Sequence, residues 1–440
     1  MLATPDLAPL QARLRDFEPF PAEGHVRRIH SGEIEASGPD MSIGMVCEIL
    51  PNDSHAPRVR ALVAAVSEAK VVLVPFDPVA QIRLGDRVRA LPIGDAFPVG
   101  EGFAGRAINA SGEAIDGLGD IASSFEPLEP VAMLDRTTPN QVFATGLRAI
   151  DGLLTIGQGQ RIGVFAASGV GKTRLIGQIL EQATYQRAVI CLVGERGREV
   201  EESWRHLQAR SSGAFCTLVA ATSDESAPMR ARAVEQALAL AEYWRRRGEH
   251  VLLVVDSITR LAMALREIGL IAGEPPTARA FTPNVFRELP RIVERCGAAR
   301  QGGSITAIFT VLCETDEADD PLVEVMKSLL DGHVVLSRSL AQAGHFPAVD
   351  VGRSISRLAD ALVDEQHALA ARRCRGWLAR YEESRILVES GMYKAGTDPE
   401  LDKAIAARTA LNAFLRQSSD EDCSVEAARS ALLAVANSHA

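Results

Sequence analysis

Apolar residues recur at Leu7, Leu10, Leu14 and Phe17, the three-then-four spacing of one helix face, and Pro19 and Pro21 close the run. The spacing predicts a short amphipathic helix within residues 1–23, whose stripe either docks on a partner or packs on the chain's own domain. From 24 to 93 the pattern changes to short apolar runs at 45–50, 58–66 and 70–74, separated by Gly, Pro, Asn and Asp turns, which predicts a small β-barrel domain. A connector rich in glycine follows, from Gly100 and Gly102 through Gly117 and Gly119. From about Gln141, apolar runs alternate with longer stretches of helical period, and strands are predicted at 160–165, 188–193, 215–220, 250–255 and 304–312. Their continuous apolar character is that of parallel strands covered on both faces, and they place an α/β domain at 94–358. Beyond Ala359 strands cease, and Ala-, Leu- and Arg-rich stretches predict a helical C-terminal domain at 359–440.

Composition narrows the possible functions. With 440 residues, 47% of them apolar, the chain can bury full-sized cores in two to four domains of roughly 150 residues. Lys plus Arg total 47 against 57 for Asp plus Glu, a formal charge of −10 that disfavours non-specific binding of a nucleic-acid backbone. Aromatic residues are only 5%, and residues 24–92 contain Phe76 but no Trp or Tyr, so stacking platforms for single-stranded nucleic acid are scarce. Strictly apolar stretches such as 251–255 fall far short of the roughly 18 residues of a membrane-spanning helix. Pro5, Asp6 and Pro9 replace the basic and apolar regions of a secretory leader, so the chain is expected in the cytosol. The cysteines at 47, 191, 216, 296, 313, 374 and 423 have no close pairing and are expected as reduced thiols.

Three segments carry chemistry. Directly after the strand predicted at 160–165 comes Ala166-Ala167-Ser168-Gly169-Val170-Gly171-Lys172-Thr173, followed by a helical stretch at 174–184. In such a phosphate loop the glycines permit a tight path with amides turned inward, the lysine reaches the β- and γ-phosphates, and the hydroxyl faces Mg²⁺. Here those parts are Lys172 and Thr173, with Ser168, Gly169, Val170, Gly171 and Arg174 around the phosphates, while Ala166 stands at the motif's first glycine. The apolar run from Val251 ends in Asp256, where open α/β sheets place ligands, so Asp256 is expected to hold Mg²⁺ directly or through water. Glu195, in Gly194-Glu195-Arg196-Gly197-Arg198-Glu199 at a third strand end, is the candidate base for water attacking the γ-phosphate.

These segments, with Asp256-Ser257-Ile258-Thr259-Arg260 and Arg266-Glu267-Ile268-Gly269, resemble the hexameric ATPases related to rotary ATP synthases. Within that group, Gly273-Glu274-Pro275-Pro276, Leu330-Asp331-Gly332-His333 and Ala343-Gly344-His345-Phe346-Pro347-Ala348-Val349-Asp350 resemble the type III export ATPases of flagella and injectisomes. The resemblance covers about residues 25–415. It implies an α/β fold with a RecA-like P-loop NTPase core between an N-terminal β-barrel and a helical C-terminal domain, using ATP and Mg²⁺. It also implies that Glu195 is the catalytic glutamate, that Arg357 is an arginine finger inserted into a neighbour's site, that Phe346 packs on adenine, and that Arg196 and Arg260 lie near the γ-phosphate.

Because Lys172, Glu195, Asp256 and Arg357 share one chain, the family's ring logic implies a homo-hexamer active at every interface. The implied partners are a flagellar export regulator on the N-terminal helix, a stalk protein, the export gate, and export chaperones with their substrates. Nucleic acid is not expected, and membrane association is expected as peripheral, through partners. Gln342-Ala343-Gly344-His345 and the Asp-Pro and Leu-Asp-Lys pattern of Thr397-Asp398-Pro399-Glu400-Leu401-Asp402-Lys403-Ala404-Ile405 resemble flagellar members more than injectisome ones. An injectisome ATPase, a rotary-ATPase catalytic subunit and a hexameric RNA motor are the alternatives. Ala167, where these export ATPases usually have glycine, and Val351-Gly352-Arg353 depart from the family pattern. The acidic run Glu314, Asp316, Glu317, Asp319 and Asp320 reads as a solvated loop rather than a cation site.

Overall fold

Six short strands close on themselves near the start of the computed structural model, which describes residues 23–438 except 31, 39, 54, 78–81, 92–95, 127–130, 210–214 and 314–319. The expected N-terminal helix therefore lies outside the described residues, as do all but Asp320 of the acidic run. The barrel strands are β1 (Glu23–His30), β2 (Glu33–Ser37), β3 (Val46–Leu50), β4 (Val59–Val66), β5 (Val71–Pro75) and β6 (Arg87–Ala90), ordered β1-β2-β5-β4-β3-β6. Antiparallel pairing of β1 with β6 closes the ring and leaves no free edge. Ile34, Ala36, Cys47, Ile49, Val63, Leu73 and Val88 fill its interior. The pattern found β3, β4 and β5 but not β1, whose Glu-Gly-His-Val-Arg-Arg-Ile-His buries only Gly24 and Val26 and so lacks an apolar run.

The barrel and residues 267–274 make up one compact unit, and the described chain from Phe97 otherwise makes up a second, which contains all the candidate site residues. The second is built on a mixed sheet of β7 (Ala107–Asn109), β8 (Arg161–Ala166), β9 (Arg187–Glu195), β10 (Cys216–Thr222), β11 (His250–Asp256), β12 (Ser304–Leu312), β13 (Gly332–Leu336) and β14 (Val349–Ser356). Their order is β14-β13-β8-β12-β11-β9-β10-β7, and two short strands, Arg136–Thr137 and Gly297–Ala299, attach beside β12. Every neighbouring pair along that order is parallel except β13 with β14. Val251 to Val255 are all fully buried, as strands covered on both faces require.

The five predicted core strands are β8 to β12, with ends shifted by a residue or two. Phe215 precedes β10 and is 51% exposed. β13 and the edge strand β14 lay outside the prediction because β13, Gly-His-Val-Val-Leu, has an apolar run of only three residues and polar residues interrupt β14, Val-Asp-Val-Gly-Arg-Ser-Ile-Ser.

The helices that matter for the site are α1 (Arg148–Leu153), α2 (Lys172–Gln182), α3 (Gly197–Gln208), α4 (Ala227–Arg246), α5 (Ile258–Ile271), α6 (Pro283–Glu294), α7 (Pro321–Leu329), α8 (Glu365–Glu389), α9 (Pro399–Leu415) and α10 (Val425–Ser438). Asp320 caps α7, accepting from Leu322 N–H at 2.8 Å and pairing with Arg279 at 3.0 Å, so this acid has a structural use. Asp398 likewise caps α9, ahead of Pro399 in its first turn. Trp377, Phe414 and Leu432 of α8 to α10 share one buried cluster with Ile150, Val164 and Leu175, so the C-terminal helices pack directly on the sheet domain. No described helix is long and apolar enough to cross a membrane.

Candidate active site

The carboxyl ends of β8, β9, β11 and β12 bring together the phosphate loop, Glu195, Asp256 and Thr310. Ala166 is the last residue of β8 and pairs in register with Leu312 and Leu336. It therefore has ordinary strand geometry, and alanine suffices where the motif usually has glycine. Gly169 and Gly171 instead adopt φ of +78° and +97°, the left-handed region that favours glycine. Val170 anchors the loop in the core while Ser168, Gly169, Thr173 and Arg174 face solvent. Lys172 opens α2, half-buried.

Lys172 Nζ is ion-paired to Asp256 Oδ1, at the end of β11. The same oxygen accepts a 2.7 Å hydrogen bond from the hydroxyl of Thr310, a fully buried residue of β12. Glu195 ends β9 half-buried. Burial pushes its carboxyl up to about 7, a hydrogen bond with Glu199 and the charge of Asp256 add to the rise, and Lys172 opposes it. Such a group can take a proton near neutral pH.

Gly194, with φ of +68°, lets the chain pass tightly over Arg260, whose Cβ would lie 3.2 Å from any side chain there. Arg260 Nε is buried with no protein acceptor, while Arg196 is exposed ahead of α3. Phe346 lies beside the phosphate loop: its ring would stand 3.5 Å from a Cβ at Gly171, and the Arg174 guanidinium sits over it at 5.1 Å. The buried Gln417 fixes this corner. Its N–H donates to Phe346 O at 2.9 Å, its amide donates to Gly146 O at 2.7 Å, and it accepts from Arg148 N–H at 2.9 Å.

Arg357 does not join this cluster. It follows β14, exposed, its N–H donating to Asp331 O at 3.0 Å and its guanidinium to Lys327 O at 3.2 Å. Because β14 runs antiparallel, its last residue Ser356 pairs with Gly332, which pairs with Ile162 at the amino end of β8.

Among the described residues no three His, Cys, Asp or Glu side chains are grouped so as to hold a metal alone. Thr173 and Asp256 still offer hard oxygen donors beside the phosphate loop, which fits Mg²⁺ completed by phosphate oxygens and water.

The ATP synthase alpha/beta family nucleotide-binding domain matches residues 146–356, and the T3SS EscN ATPase C-terminal domain matches 363–434. The flagellum-specific ATP synthase of Bacillus subtilis (strain 168) is 41% identical over 415 residues, 93% of this chain and 94% of the relative. The chain belongs to the flagellum-specific and type III secretion ATPases. The type 3 secretion system ATPase of Xanthomonas euvesicatoria is 42% identical over 401 residues, covering 90% of each chain. The assembled ATPase EscN of the enteropathogenic E. coli type III secretion system superposes with a TM-score of 0.86 at 40% identity, over 94% of this chain and all of that one. EscN has also been solved in complex with its central stalk EscO, at a TM-score of 0.84 to this chain. The chain is thus an ATP-using ATPase with the RecA-like core, barrel and helical region that the resemblance implied.

Two features of this type III ATPase escaped the sequence reading. Thr310 was hidden because threonine, β-branched, passes as an ordinary member of the strand Ser-Ile-Thr-Ala-Ile-Phe-Thr-Val-Leu. The other is the segment 416–421, held against α2 by Gln178 to Ser418 O at 3.1 Å and Gln182 to Glu421 O at 3.1 Å. Two glutamines four apart on the helix after the phosphate loop were the signal for that strap.

Proposed function

We propose that this chain hydrolyses ATP as a homo-hexameric ring that energises type III export of flagellar proteins, detaching chaperones and helping unfold substrates at the export gate. The loop amides at 168–173 and Lys172 hold the β- and γ-phosphates. Phe346 packs on adenine, and Arg174, behind its ring, steadies it. The Thr173 hydroxyl and Asp256 carboxylate hold Mg²⁺, which when bound neutralises charge on the β- and γ-phosphate oxygens. Glu195 orients the attacking water and accepts its proton. Arg260, with its unpartnered Nε, and Arg196 face the γ-phosphate. Arg357 of the adjacent copy supplies positive charge to the transition state.

The observation that carries this reading is the convergence of Lys172, Asp256 and Glu195 at one end of the sheet while Arg357 of the same chain stands at the other. A chain with both halves of the site at opposite ends is suited to a closed ring of identical copies. Its expected place is the cytoplasm, peripheral to the membrane through partners: the stalk, the gate, chaperones with their cargo, and a regulator on the N-terminal helix. The net negative charge and sparse aromatics support the absence of a nucleic-acid partner.

ATPase activity per chain is expected to rise with protein concentration as rings form, and to be nearly lost in Lys172→Ala. Activity independent of concentration, with Arg357→Ala at the wild-type rate, would overturn the ring. Relatives of both branches share about the same identity, so the flagellar placement rests on Gln342 to His345 and Thr397 to Ile405. Loss of motility and filament assembly on deleting the gene supports it; intact motility with loss of needle-dependent secretion moves the chain to the injectisome branch.

A further inference from the structure

We infer that Thr310 is the positioning residue for the metal-binding carboxylate, holding Asp256 when the nucleotide draws Lys172 away. Asp256 Oδ1 carries two donors: the Lys172 ammonium from the phosphate loop, and the Thr310 hydroxyl at 2.7 Å from the middle of the sheet. The lysine of a phosphate loop binds β- and γ-phosphates, so nucleotide entry takes the first donor from Asp256. The second stays. Thr310 is fully buried on β12, between the phosphate-loop strand β8 and β11, and both neighbouring strands pair with β12 along their length.

The chemistry of the donor fits this task. A cationic partner left on Asp256 would cancel the charge that attracts Mg²⁺, whereas a neutral hydroxyl fixes the carboxylate and leaves its charge intact. Holding one oxygen leaves the other for the cation. Without the hydroxyl, a carboxylate only 7% exposed would follow Lys172 or turn freely, and each course weakens its grip on the metal.

This inference rests on the reading that Asp256 serves Mg²⁺, and the test separates the two. The affinity of the full chain for a fluorescent ADP analogue is measured in Mg²⁺ and in EDTA, and the ratio of the two is compared among variants. Thr310→Val, which keeps the shape and removes the hydroxyl, is expected to lower that ratio about tenfold with the EDTA affinity unchanged. Thr310→Ser restores it. Thr310→Ala, which opens space rather than adding an apolar contact, is the second variant and should behave as Thr310→Val. A wild-type ratio in both hydroxyl-free variants, or equal losses in Mg²⁺ and EDTA, overturns the positioning role. A wild-type ratio in Asp256→Asn overturns the metal reading of Asp256 and the inference with it.

Discussion

Arg357 leaves the central sheet at the end opposite Lys172. Ser356 is level with Ile162, near the start of β8, while the loop bearing Lys172 begins after Ala166 at its end. Four residues of strand at about 3.3 Å each put some 13 Å between these levels, before the loop is counted. The Arg357 guanidinium is in addition directed to Lys327 O. A side chain so placed cannot reach a phosphate held at the loop of its own chain. The topology thus gives a physical reason for the action in trans that the resemblance implied.

Removing Arg357 should be costly for chemistry and cheap for binding. Arg357→Ala is expected to lower kcat on the order of 10³-fold. Single-turnover assays on assembled rings, with nucleotide affinity measured alongside, check this; a similar loss of affinity in isolated subunits would mean that Arg357 supports the fold instead.

As the proposed base, Glu195 should make the hydrolysis pH-dependent in a defined direction. As a base it acts only when ionised, and its carboxyl is pushed up to about 7, so kcat/KM should fall as pH drops below about 7. Glu199→Gln removes a neighbour that raises it, and should move this acid limb to lower pH. Glu195→Gln should lose about 10²- to 10⁴-fold in rate while still binding ATP. A pH profile with its limb unmoved in Glu199→Gln contradicts the assignment.

Phe346→Ala should raise KM for ATP about two- to tenfold with little change in kcat, because a stacking contact contributes about 0.5–1.5 kcal/mol to binding. Gln417→Leu keeps the backbone N–H that holds the Phe346 carbonyl but removes the side-chain bonds to Gly146 O and Arg148 N–H that fix that backbone, and should act in the same direction. Fluorescent-nucleotide titrations comparing adenine with pyrimidine triphosphates check both.

His250 sets an acid limit to stability. Its ring lies against Phe143 at 5.6 Å and bonds the Ser304 hydroxyl at 2.6 Å, and burial pushes its pKa down to about 4. The unfolded chain takes this proton near 6.5 and the folded chain only near 4. Its contribution to stability is therefore whole above pH 6.5 and is lost as pH falls toward 4, by about 1–3 kcal/mol. Denaturant midpoints measured between pH 7 and 4 should show a shallower slope in His250→Asn.

The sequence was most legible where chemistry restricts residue choice. Gly169 and Gly171 announce the phosphate loop because few other residues accept their backbone angles. Asp256 shows as the carboxylate that ends a wholly buried run. Where many residues serve, the pattern is silent: β14 mixes polar and apolar positions at a sheet edge, and Thr310 passes for an apolar strand residue. The end of the sheet at which Arg357 emerges was illegible for another reason, since it depends on β14 running antiparallel, a fact of pairing rather than of local sequence.

The central claim is that Lys172 and Arg357 complete one site from two chains, and mixing two inactive variants tests it most directly. Lys172→Ala and Arg357→Ala are combined in equal amounts below the assembly concentration and then brought to ring-forming concentration. An intact phosphate loop then faces an intact finger at roughly a quarter of the interfaces. Activity should recover to up to that fraction of wild type. If Arg357 served its own chain, no subunit in the mixture would hold both groups, and the mixture would stay as inactive as its parts.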